Sequence, residues 1–404
     1  MPTQSLVRRD QGQTPISGVR AVAGACLWAL FAALPVPVLP AQSPPGWTLT
    51  RDLRIDAAER DLSPISWIAV APNGTIVVNQ AQDGQLRFFD ARGADLGTFG
   101  RKGQGPGEFE AVNRVGWFGD TMWVSDLRTR RYTLVSPDRA LVRTLPWPTT
   151  LTGELTPDVT SRTIRSSIPL ALLPDGSHLL SLSVGDSPSG DVPGNGVPIA
   201  RADRDGKLER LIAWRPDDGC TVSVTMSGGF GMARVPFCFI SMNEASPRGD
   251  RFAMVHAEAS RGRDGAYRVS VVQTAADTIF SRSYSYRRVP VPRSIADSVQ
   301  QSLQRRAGRG PEEFRSAWRS MTVPSDYPPI DRLLLGRDNT TWLEEYTPSG
   351  DRSWLVLDAR GEPVGRASVP RTVRILVASR EALWGTDTDD DGLQHIVRFT
   401  VRAR

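Results

Sequence analysis

The chain has 404 residues, of which 40% are hydrophobic and 23% are charged, with 36 Gly and 31 Pro. This composition fits a turn-rich β protein and argues against a helical or a disordered chain. The formal net charge is +5, but only Lys102 and Lys207 are lysines, and the arginines are scattered among 44 acidic residues. A nucleic-acid groove needs a stripe of basic residues interleaved with aromatic ones, so we expect no nucleic-acid partner.

The N-terminal residues 1–41 predict an export signal. A basic region precedes the continuous apolar run 21–34, and a Pro-rich stretch leads to a predicted cleavage after Ala41. The apolar run is shorter than the roughly 20 residues that span a bilayer, and an uncleaved N-terminal anchor is the alternative. We therefore expect residues 42–404 to form a periplasmic or extracellular monomer that has no membrane span after removal of the signal.

A unit of four short strands recurs along the mature chain. In its clearest copy an apolar strand leads into a Pro-Asn-Gly turn at 72–74, and three further strands follow up to Phe99. Variants of this turn recur at 174–176, 337–339 and 358–361. One small sheet cannot bury both of its faces alone, so sheets of this kind pack radially as the blades of a propeller. The sequence therefore predicts an all-β propeller.

Six blades are predicted in chain order, at 65–100, 112–146, 168–214, 250–286, 330–369 and 373–401. The sixth blade shows three strands, and we expect the strand at 47–55 to supply the fourth, which closes the ring and removes its exposed edges. Residues 293–321 break the β pattern and predict an inserted helical hairpin. Ser294 is the predicted N-cap of its first helix, and Pro311 begins the second.

A glycine-rich segment, Gly-Arg-Lys-Gly-Gln-Gly-Pro-Gly-Glu-Phe at 100–109, follows the first blade. Together with the preceding Pro-Asn-Gly blade, this segment resembles the NHL-type six-bladed β-propellers of exported bacterial proteins. The resemblance implies the propeller fold. It does not imply one chemistry, because relatives of this kind include lyases, lactonases, sensor domains and binding modules.

Two of the three cysteines remain after the signal is removed. Cys26 leaves with the signal, whereas Cys220 and Cys238 stay in the mature chain. An even number of cysteines in an oxidising compartment favours a disulfide between these two residues. Two buried free thiols are the alternative.

One face of the predicted propeller gathers the loops between second and third strands, and these loops are polar and mixed in charge. Such a face suits a peptide, glycan or protein partner, although solubility alone also requires polar loops. The candidate ligand-binding residues at the ends of these strands are Asn79, Asp126, Arg128, Arg131, Glu344 and Glu345.

One calcium-like pattern occurs, in which Asp387, Asp389 and Asp391 alternate before Gly392. Short carboxylates at this spacing begin a calcium loop, but the twelfth position, where a bidentate acid closes such a loop, is Arg398. The segment also falls between two strands, where an Asp- and Gly-rich hairpin is expected. We therefore expect no cofactor, with calcium at these aspartates as the alternative.

No catalytic signature is evident in the sequence. His178, His256 and His395 each lie in or beside an apolar strand, which favours imidazoles with satisfied hydrogen bonds on a blade face. No histidine pairs recognisably with a glutamate, and no Ser-His-Asp order or phosphate loop occurs. The sequence therefore predicts a binding or scaffold module for a ligand, glycan or protein partner on the loop-rich face. The alternative is a metal-assisted lactonase-type hydrolase or an acid–base lyase at the central channel.

Overall fold

The computed structural model describes residues 44–403 apart from 63, 156–163, 186–195, 227–228, 260–262 and 276. The predicted export signal therefore lies outside the described residues. Within them, no helix is long and apolar enough to cross a membrane.

The described part of the chain contains six four-stranded antiparallel sheets, which confirm the predicted six-bladed propeller. The chain begins with β1 (Thr48–Ile55) and then forms blades one to three. Blade one contains β2 Ile65–Val70, β3 Ile76–Gln80, β4 Gln85–Phe89 and β5 Asp95–Phe99. Blade two contains β6 Val112–Phe118, β7 Thr121–Asp126, β8 Arg131–Val135 and β9 Leu141–Pro146. Blade three contains β10 Ile164–Leu172, β11 His178–Val184, β12 Val197–Ala202 and β13 Leu208–Arg215.

Two insertions flank blade four. They are the hairpin β14 Thr221–Met226 with β15 Gly229–Arg234, and the helices α1 Arg293–Arg309 and α2 Glu312–Ser320. Blade four contains β16 Met242–Ala245, β17 Arg251–Glu258, β18 Asp264–Gln273 and β19 Thr278–Arg287. Blade five contains β20 Ile330–Leu335, β21 Thr341–Glu345, β22 Arg352–Leu357 and β23 Pro363–Val369. Blade six contains β24 Val373–Ala378, β25 Ala382–Thr388, β26 Gln394–Arg402 and the N-terminal β1.

The pairing of β1 with β26 confirms the predicted closure of the ring. The two strands are antiparallel, from Thr48 opposite Arg402 to Ile55 opposite Ile396. The N-terminal strand is therefore the outermost strand of the C-terminal blade. This arrangement covers the edge of β26, which would otherwise present unpaired backbone groups.

The innermost strands β2, β6, β10, β16, β20 and β24 surround a central channel. Each blade is antiparallel, so its first-to-second and third-to-fourth turns lie at one end of the channel. Its second-to-third loops and the connection to the next blade lie at the other end. We call these two ends the turn face and the connection face. Both insertions follow the last strand of a blade and therefore belong to the connection face.

Apolar side chains interlock between neighbouring blades. β3 is buried at all five positions because it lies between two strands of its own sheet and between two neighbouring blades. Between blades five and six, Trp342 and Trp354 have no exposed surface, and Trp47 packs edge-on against Trp342 with ring centroids 5.6 Å apart. Full burial of one large apolar side chain contributes about 3 kcal/mol, so these inter-blade contacts hold the ring together.

The helical insertion confirms the predicted hairpin but corrects its first cap. The residue preceding α1 is Pro292, without a capping side-chain hydrogen bond, so Ser294 lies inside the helix rather than at its N-cap. The second helix begins after Pro311, as predicted. Both helices pack against the β14–β15 hairpin through Leu303, Ala317 and Met321. The two insertions therefore share one small apolar cluster on the connection face.

A disulfide joins Cys220 and Cys238, as predicted, with their Cα atoms 5.5 Å apart. It closes a loop over 18 residues of sequence that contains the β14–β15 hairpin. The chain-entropy model assigns a loop of this length a stabilisation of about 3 kcal/mol, because the crosslink restricts the unfolded segment.

Replacing both cysteines with serine is expected to destabilise the hairpin selectively, by about 3 kcal/mol. The blades keep their own inter-blade contacts, so the effect stays local. Hydrogen exchange measured by mass spectrometry should show faster exchange in β14 and β15 and unchanged protection in β3, which serves as the internal control. Equal exchange of the hairpin in both proteins would contradict this role of the disulfide.

Candidate ligand-binding site

A cavity of about 850 Å³ opens at the turn face, at the mouth of the central channel. Its walls are the first-to-second-strand turns of blades one, four, five and six, with Trp117 from blade two and Trp384 from blade six. Below it lies a channel cavity of about 190 Å³, lined by residues from the innermost strands of all six blades. The cavity of about 850 Å³ at the turn face is large enough to hold a small ligand.

Side-chain oxygens fix the turns that form the walls. In blade four, the Ser246 hydroxyl donates to the Asp250 carboxylate at 2.6 Å. In blade five, the Asp338 carboxylate accepts from the Thr340 hydroxyl at 2.6 Å, and its other oxygen accepts from the backbone N–H of Arg380 at 2.7 Å. The last bond joins the turns of blades five and six. Short polar side chains of this kind replace missing backbone partners in tight turns.

Arg337 spans the mouth of the channel between three blades. Its backbone N–H donates to the carbonyl of Ala378 at 3.0 Å, and its Nη2 donates to the carbonyl of Ala71 at 2.8 Å. Its guanidinium lies over the Trp384 ring, 5.6 Å from the centroid. A cation over an indole face is attracted by the negative π surface. Arg337 therefore lies at the boundary between the cavity and the channel.

Arg248, Arg337 and Arg380 place three guanidinium groups in the cavity wall. Arg248 and Arg380 are exposed and Arg337 is half-buried, and none of the three is in an ion pair with a described carboxylate. Burial lowers the pKa of Arg337, the positive charge of Arg248 lowers it further, and Asp338 and Glu381 oppose both effects. An arginine remains cationic at neutral pH in such surroundings. Four acidic side chains, Asp52, Asp250, Asp338 and Glu381, line the same cavity, but none of them forms an ion pair with these three arginines among the described residues.

A fourth arginine at the cavity, Arg398, is already paired. Its Nη2 lies 3.0 Å from the carboxylate of Asp52, and its Nη1 donates to the carbonyl of Ala91 at 2.7 Å. Burial alone raises the pKa of Asp52, but hydrogen bonds from Arg398 and Thr400 outweigh it and hold this pKa below its usual value. The pair with Asp52 lies within blade six, and the bond to Ala91 joins blade six to blade one. Arg398 is therefore occupied, and Arg248, Arg337 and Arg380 are the remaining arginines of the cavity.

The channel beneath the cavity contains an ion pair between two innermost strands. Arg114 of β6 and Glu244 of β16 face each other at 3.6 Å. Burial raises the pKa of Glu244, and the charge and hydrogen bond of Arg114 oppose this rise. A third of the Glu244 side chain stays accessible because it faces the channel cavity, which protein surrounds.

Asn79 and Asp126 lie at the ends of second strands, as the sequence predicted, but both are buried. The Oδ1 atom of Asn79 has no hydrogen-bond partner among the described residues. Asp126 accepts four backbone N–H bonds, at 2.7 to 3.0 Å; the donors are Glu110, Ala111, Arg128 and Thr129. Its carboxylate is therefore occupied by the loops that flank β7.

Arg128 and Arg131 contact the segments around the glycine-rich loop 100–109. Arg131 donates to the carbonyls of Gln104, at 2.6 Å, and Glu108, at 2.9 Å. Arg128 is exposed and lies 3.7 Å from the Glu110 carboxylate. The loop folds over the fully buried Phe109, and a Cβ atom on Gly100 would lie 2.6 Å from the Phe109 ring. Glycine is therefore required at this position of positive φ.

Glu344 and Glu345 end β21 and have partners within blade five. Glu344 is almost fully buried and accepts from Nη1 of Arg352 at 2.6 Å, and Arg332 lies 3.7 Å from its other oxygen. Glu345 forms an ion pair with Arg366. The six predicted ligand-binding residues thus belong to blades one, two and five, and five of them have partners within the protein.

The three aspartates of the calcium-like pattern lie in the β25–β26 hairpin. Asp387 forms an ion pair with Arg51 at 2.8 Å. Asp389 accepts the backbone N–H groups of Asp391 and Leu393, and its other oxygen lies 2.7 Å from Nε2 of His395. Among the described residues no three His, Cys, Asp or Glu side chains are grouped as a metal site requires. Calcium binding at these aspartates stays a prediction.

The three histidines differ in their surroundings. His395 has a partner at each ring nitrogen, since Nδ1 also accepts the N–H of Ala57 at 3.1 Å. His178 stacks on Tyr132, with its Nδ1 3.2 Å from the tyrosine hydroxyl. The Nδ1 atom of His256 is buried and has no hydrogen-bond partner among the described residues.

The sequence interpretation missed Arg248, Arg337 and Arg380, because it assigned the ligand to the connection face. A pattern in the sequence does point to these three arginines. The first-to-second-strand turns of blades four, five and six each carry one arginine, and residues 337–339 are a variant of the repeating turn. Superposing the turns of the repeat would have placed the three arginines at one end of the channel.

No family model and no curated protein matches the chain. Among solved structures, a member of the DUF4221 family from Bacteroides vulgatus is 11% identical, with 90% of this chain and 100% of that chain covered and a TM-score of 0.47. A protein from Bacteroides fragilis described as exported is 12% identical, with 89% and 95% covered and a TM-score of 0.45. Virginiamycin B lyase from Staphylococcus aureus is 11% identical, with 88% and 99% covered and a TM-score of 0.40. Membership of the NHL family stays a prediction.

Proposed function

We propose that this protein is an exported binding module that holds an acidic ligand at the mouth of its channel, on the turn face. One observation carries the proposal. Arg248, Arg337 and Arg380 converge on a cavity of about 850 Å³ without a described ion-pair partner, beside two tryptophans. The proposed site is at the opposite end of the channel from the loops that the sequence favoured.

The chemistry of the wall indicates the ligand class. A guanidinium presents a planar fork of N–H donors that matches the two oxygens of a carboxylate or phosphate. Trp117 and Trp384 supply apolar surface beside these donors. The cavity opens to solvent, so the acidic group can be a free metabolite or the end of a peptide or glycan chain. The relative affinities for citrate and for a hexaglutamate peptide distinguish the two sources.

An acid–base lyase at the channel is the second candidate, and Glu244 favours it. Burial raises the pKa of this carboxyl group, as in many general acids. However, the described residues that line the channel include no histidine, and Arg114 is the charged partner of Glu244. Binding therefore accounts for more of the site than catalysis does.

The double variant Arg248→Ala, Arg380→Ala is expected to weaken binding of an acidic probe about tenfold or more, because each charge-assisted hydrogen bond contributes about 1.5 to 3 kcal/mol. The measurement is isothermal titration calorimetry with citrate, inorganic phosphate and a hexaglutamate peptide. Binding should weaken as the salt concentration rises. Preference for the peptide over citrate would assign the site to a chain end.

Arg128→Ala is the matched control, since Arg128 is also an exposed arginine but lies on the connection face. Its affinity for each probe should equal that of the wild type. Two results would disprove the proposal: failure of all three probes to bind the wild type, or an equal loss of affinity in the control and the double variant.

A further inference from the structure

The channel cavity is continuous with the cavity at the turn face. The two cavities share the lining residues Val70, Trp117, Ser246, Pro247 and Arg337. From these residues the channel cavity, of about 190 Å³, extends between the innermost strands of the blades. A ligand whose acidic group lies among the three arginines of the mouth can therefore reach into the channel.

The wall of the channel cavity is mostly apolar. The innermost strand of every blade contributes at least one aliphatic or aromatic side chain to it. Trp67, Val115, Leu334, Leu376 and Val377 are only half-buried, although they line a channel inside the ring of blades. Apolar surface that stays accessible inside a protein favours an apolar ligand over water.

The polar side chains deeper in the channel have partners within the protein. Arg114 and Glu244 face each other at 3.6 Å, and Nδ2 of Asn113 donates to the carbonyl of Pro169 at 3.5 Å. A polar segment of a ligand would have to compete with these partners. An apolar segment needs no hydrogen bonds, so it enters the channel without leaving a polar group unsatisfied.

The charges of the mouth favour a ligand with a single negative charge. The three arginines attract one acidic group, whereas Asp250, Asp338 and Glu381 line the same wall. Each further negative charge on a ligand would lie near these carboxylates, and like charges brought together oppose binding. The part of the ligand beyond its acidic group is therefore expected to be neutral.

We propose that the ligand of the channel mouth is a monocarboxylic acid with an apolar tail. Its carboxylate lies among the three arginines, and its tail enters the channel between the innermost strands. Apolar cavities of about 150 Å³ bind a compound of the size of benzene, so a channel cavity of about 190 Å³ holds a short alkyl chain. This inference rests on the proposed function, because it names the kind of acid that the mouth holds.

Calorimetric titration with butyrate, hexanoate and octanoate tests the proposal. Each methylene that enters the channel should raise the affinity about fourfold, because it leaves water for an apolar wall. Octanol has the same chain length without the charge and should bind more weakly than octanoate. Octanoate that binds no more tightly than butyrate would overturn the proposal.

Val115→Trp is expected to fill the channel, because Val115 lines it and is half-buried. This variant should bind octanoate only as tightly as butyrate, with the affinity for butyrate unchanged. Val142→Trp is the matched control, since it makes the same change at a residue that is 52% exposed on the outermost strand of the same blade. Equal octanoate affinity in the two variants would contradict the proposal, and the chain-length series in the wild type tests the same claim without a substitution.

The double variant Arg248→Ala, Arg380→Ala separates this inference from the proposed function. It should bind octanoate about as weakly as the wild type binds octanol. If it binds octanoate as tightly as the wild type does, the arginines do not recognise the acid, and both proposals are wrong. If it weakens all three acids equally and chain length has no effect in the wild type, the acid site stands and the tail does not enter the channel.

Discussion

Replacing Trp47 with alanine is expected to lower the free energy of unfolding by about 3 to 5 kcal/mol, which is the usual effect of removing a large buried aromatic side chain. Trp47 is 8% exposed and lies in the apolar cluster between blades five and six. A Cβ atom on Gly365 would lie 2.2 Å from its ring, so the neighbouring strand leaves room for this one side chain. The variant leaves a cavity that these surroundings cannot fill.

The position of Trp47 in the fold adds to this effect. Its backbone N–H donates to the carbonyl of Arg366 at 2.6 Å, and the N–H of Arg366 donates to the carbonyl of Pro45 at 2.9 Å. These bonds tie the start of β1 to blade five, while the strand itself pairs with blade six. Loss of the Trp47 side chain therefore weakens the attachment of β1 to blade five. A detached β1 no longer closes the ring and exposes the edge of β26.

Denaturation in urea, followed by far-ultraviolet circular dichroism, measures the change. Arg54→Ala is the control on the same strand, because Arg54 is exposed and its nearest acid, Asp56, lies 3.7 Å away. That variant should unfold within about 0.5 kcal/mol of the wild type, as exposed substitutions usually do. A Trp47→Ala protein as stable as the control would show that the N-terminal strand does not hold the ring closed.

The sequence predicted the closed propeller because the four-strand unit repeats along the chain. Short apolar strands separated by turns that contain Gly, Asx or Pro recur from blade to blade, so one weak copy is supported by the others. The closure followed from counting: blade six showed three strands, and an unassigned strand remained at 47–55. The disulfide between Cys220 and Cys238 was predictable because the third cysteine, Cys26, falls within the predicted export signal.

The candidate site was harder to predict, since its contacts join residues that are far apart in the chain. Arg337 reaches the carbonyl of Ala71 across 266 positions, and no local pattern encodes that bond. Acidic residues that resemble ligand-binding residues, such as Asp126 and Glu344, instead accept hydrogen bonds from other residues of the protein. Polarity at the end of a strand therefore does not distinguish a ligand-binding residue from one that satisfies loop backbone.

Replacing Asp126 with alanine is expected to destabilise the protein by about 3 to 5 kcal/mol, because its four backbone donors lose a charged acceptor together. The donors lie on both sides of β7, in the connection from blade one and in the loop that leads to β8. Asp120→Ala is the control, since Asp120 is exposed in the neighbouring turn of the same blade. Its unfolding midpoint should match that of the wild type.

The pH dependence of stability gives an independent measure of the same interaction. Burial by itself raises the pKa of Asp126, but the N–H groups of Thr129, Ala111, Glu110 and Arg128 together outweigh it and hold the pKa below its ordinary value. A carboxyl group with a lowered pKa in the folded state stabilises the protein fully above its unfolded pKa, which is about 3.9. This contribution is lost as the pH falls through the folded pKa.

The stability difference between the wild type and Asp126→Asn should therefore be constant near neutral pH and shrink below about pH 4, where the wild-type carboxylate becomes protonated. Asparagine keeps the shape and one acceptor but carries no charge, so the variant isolates the charge from the packing. Urea unfolding at a series of pH values gives the two curves. Curves that stay parallel down to the acid limit of folding would mean that the four amides gain nothing from the negative charge.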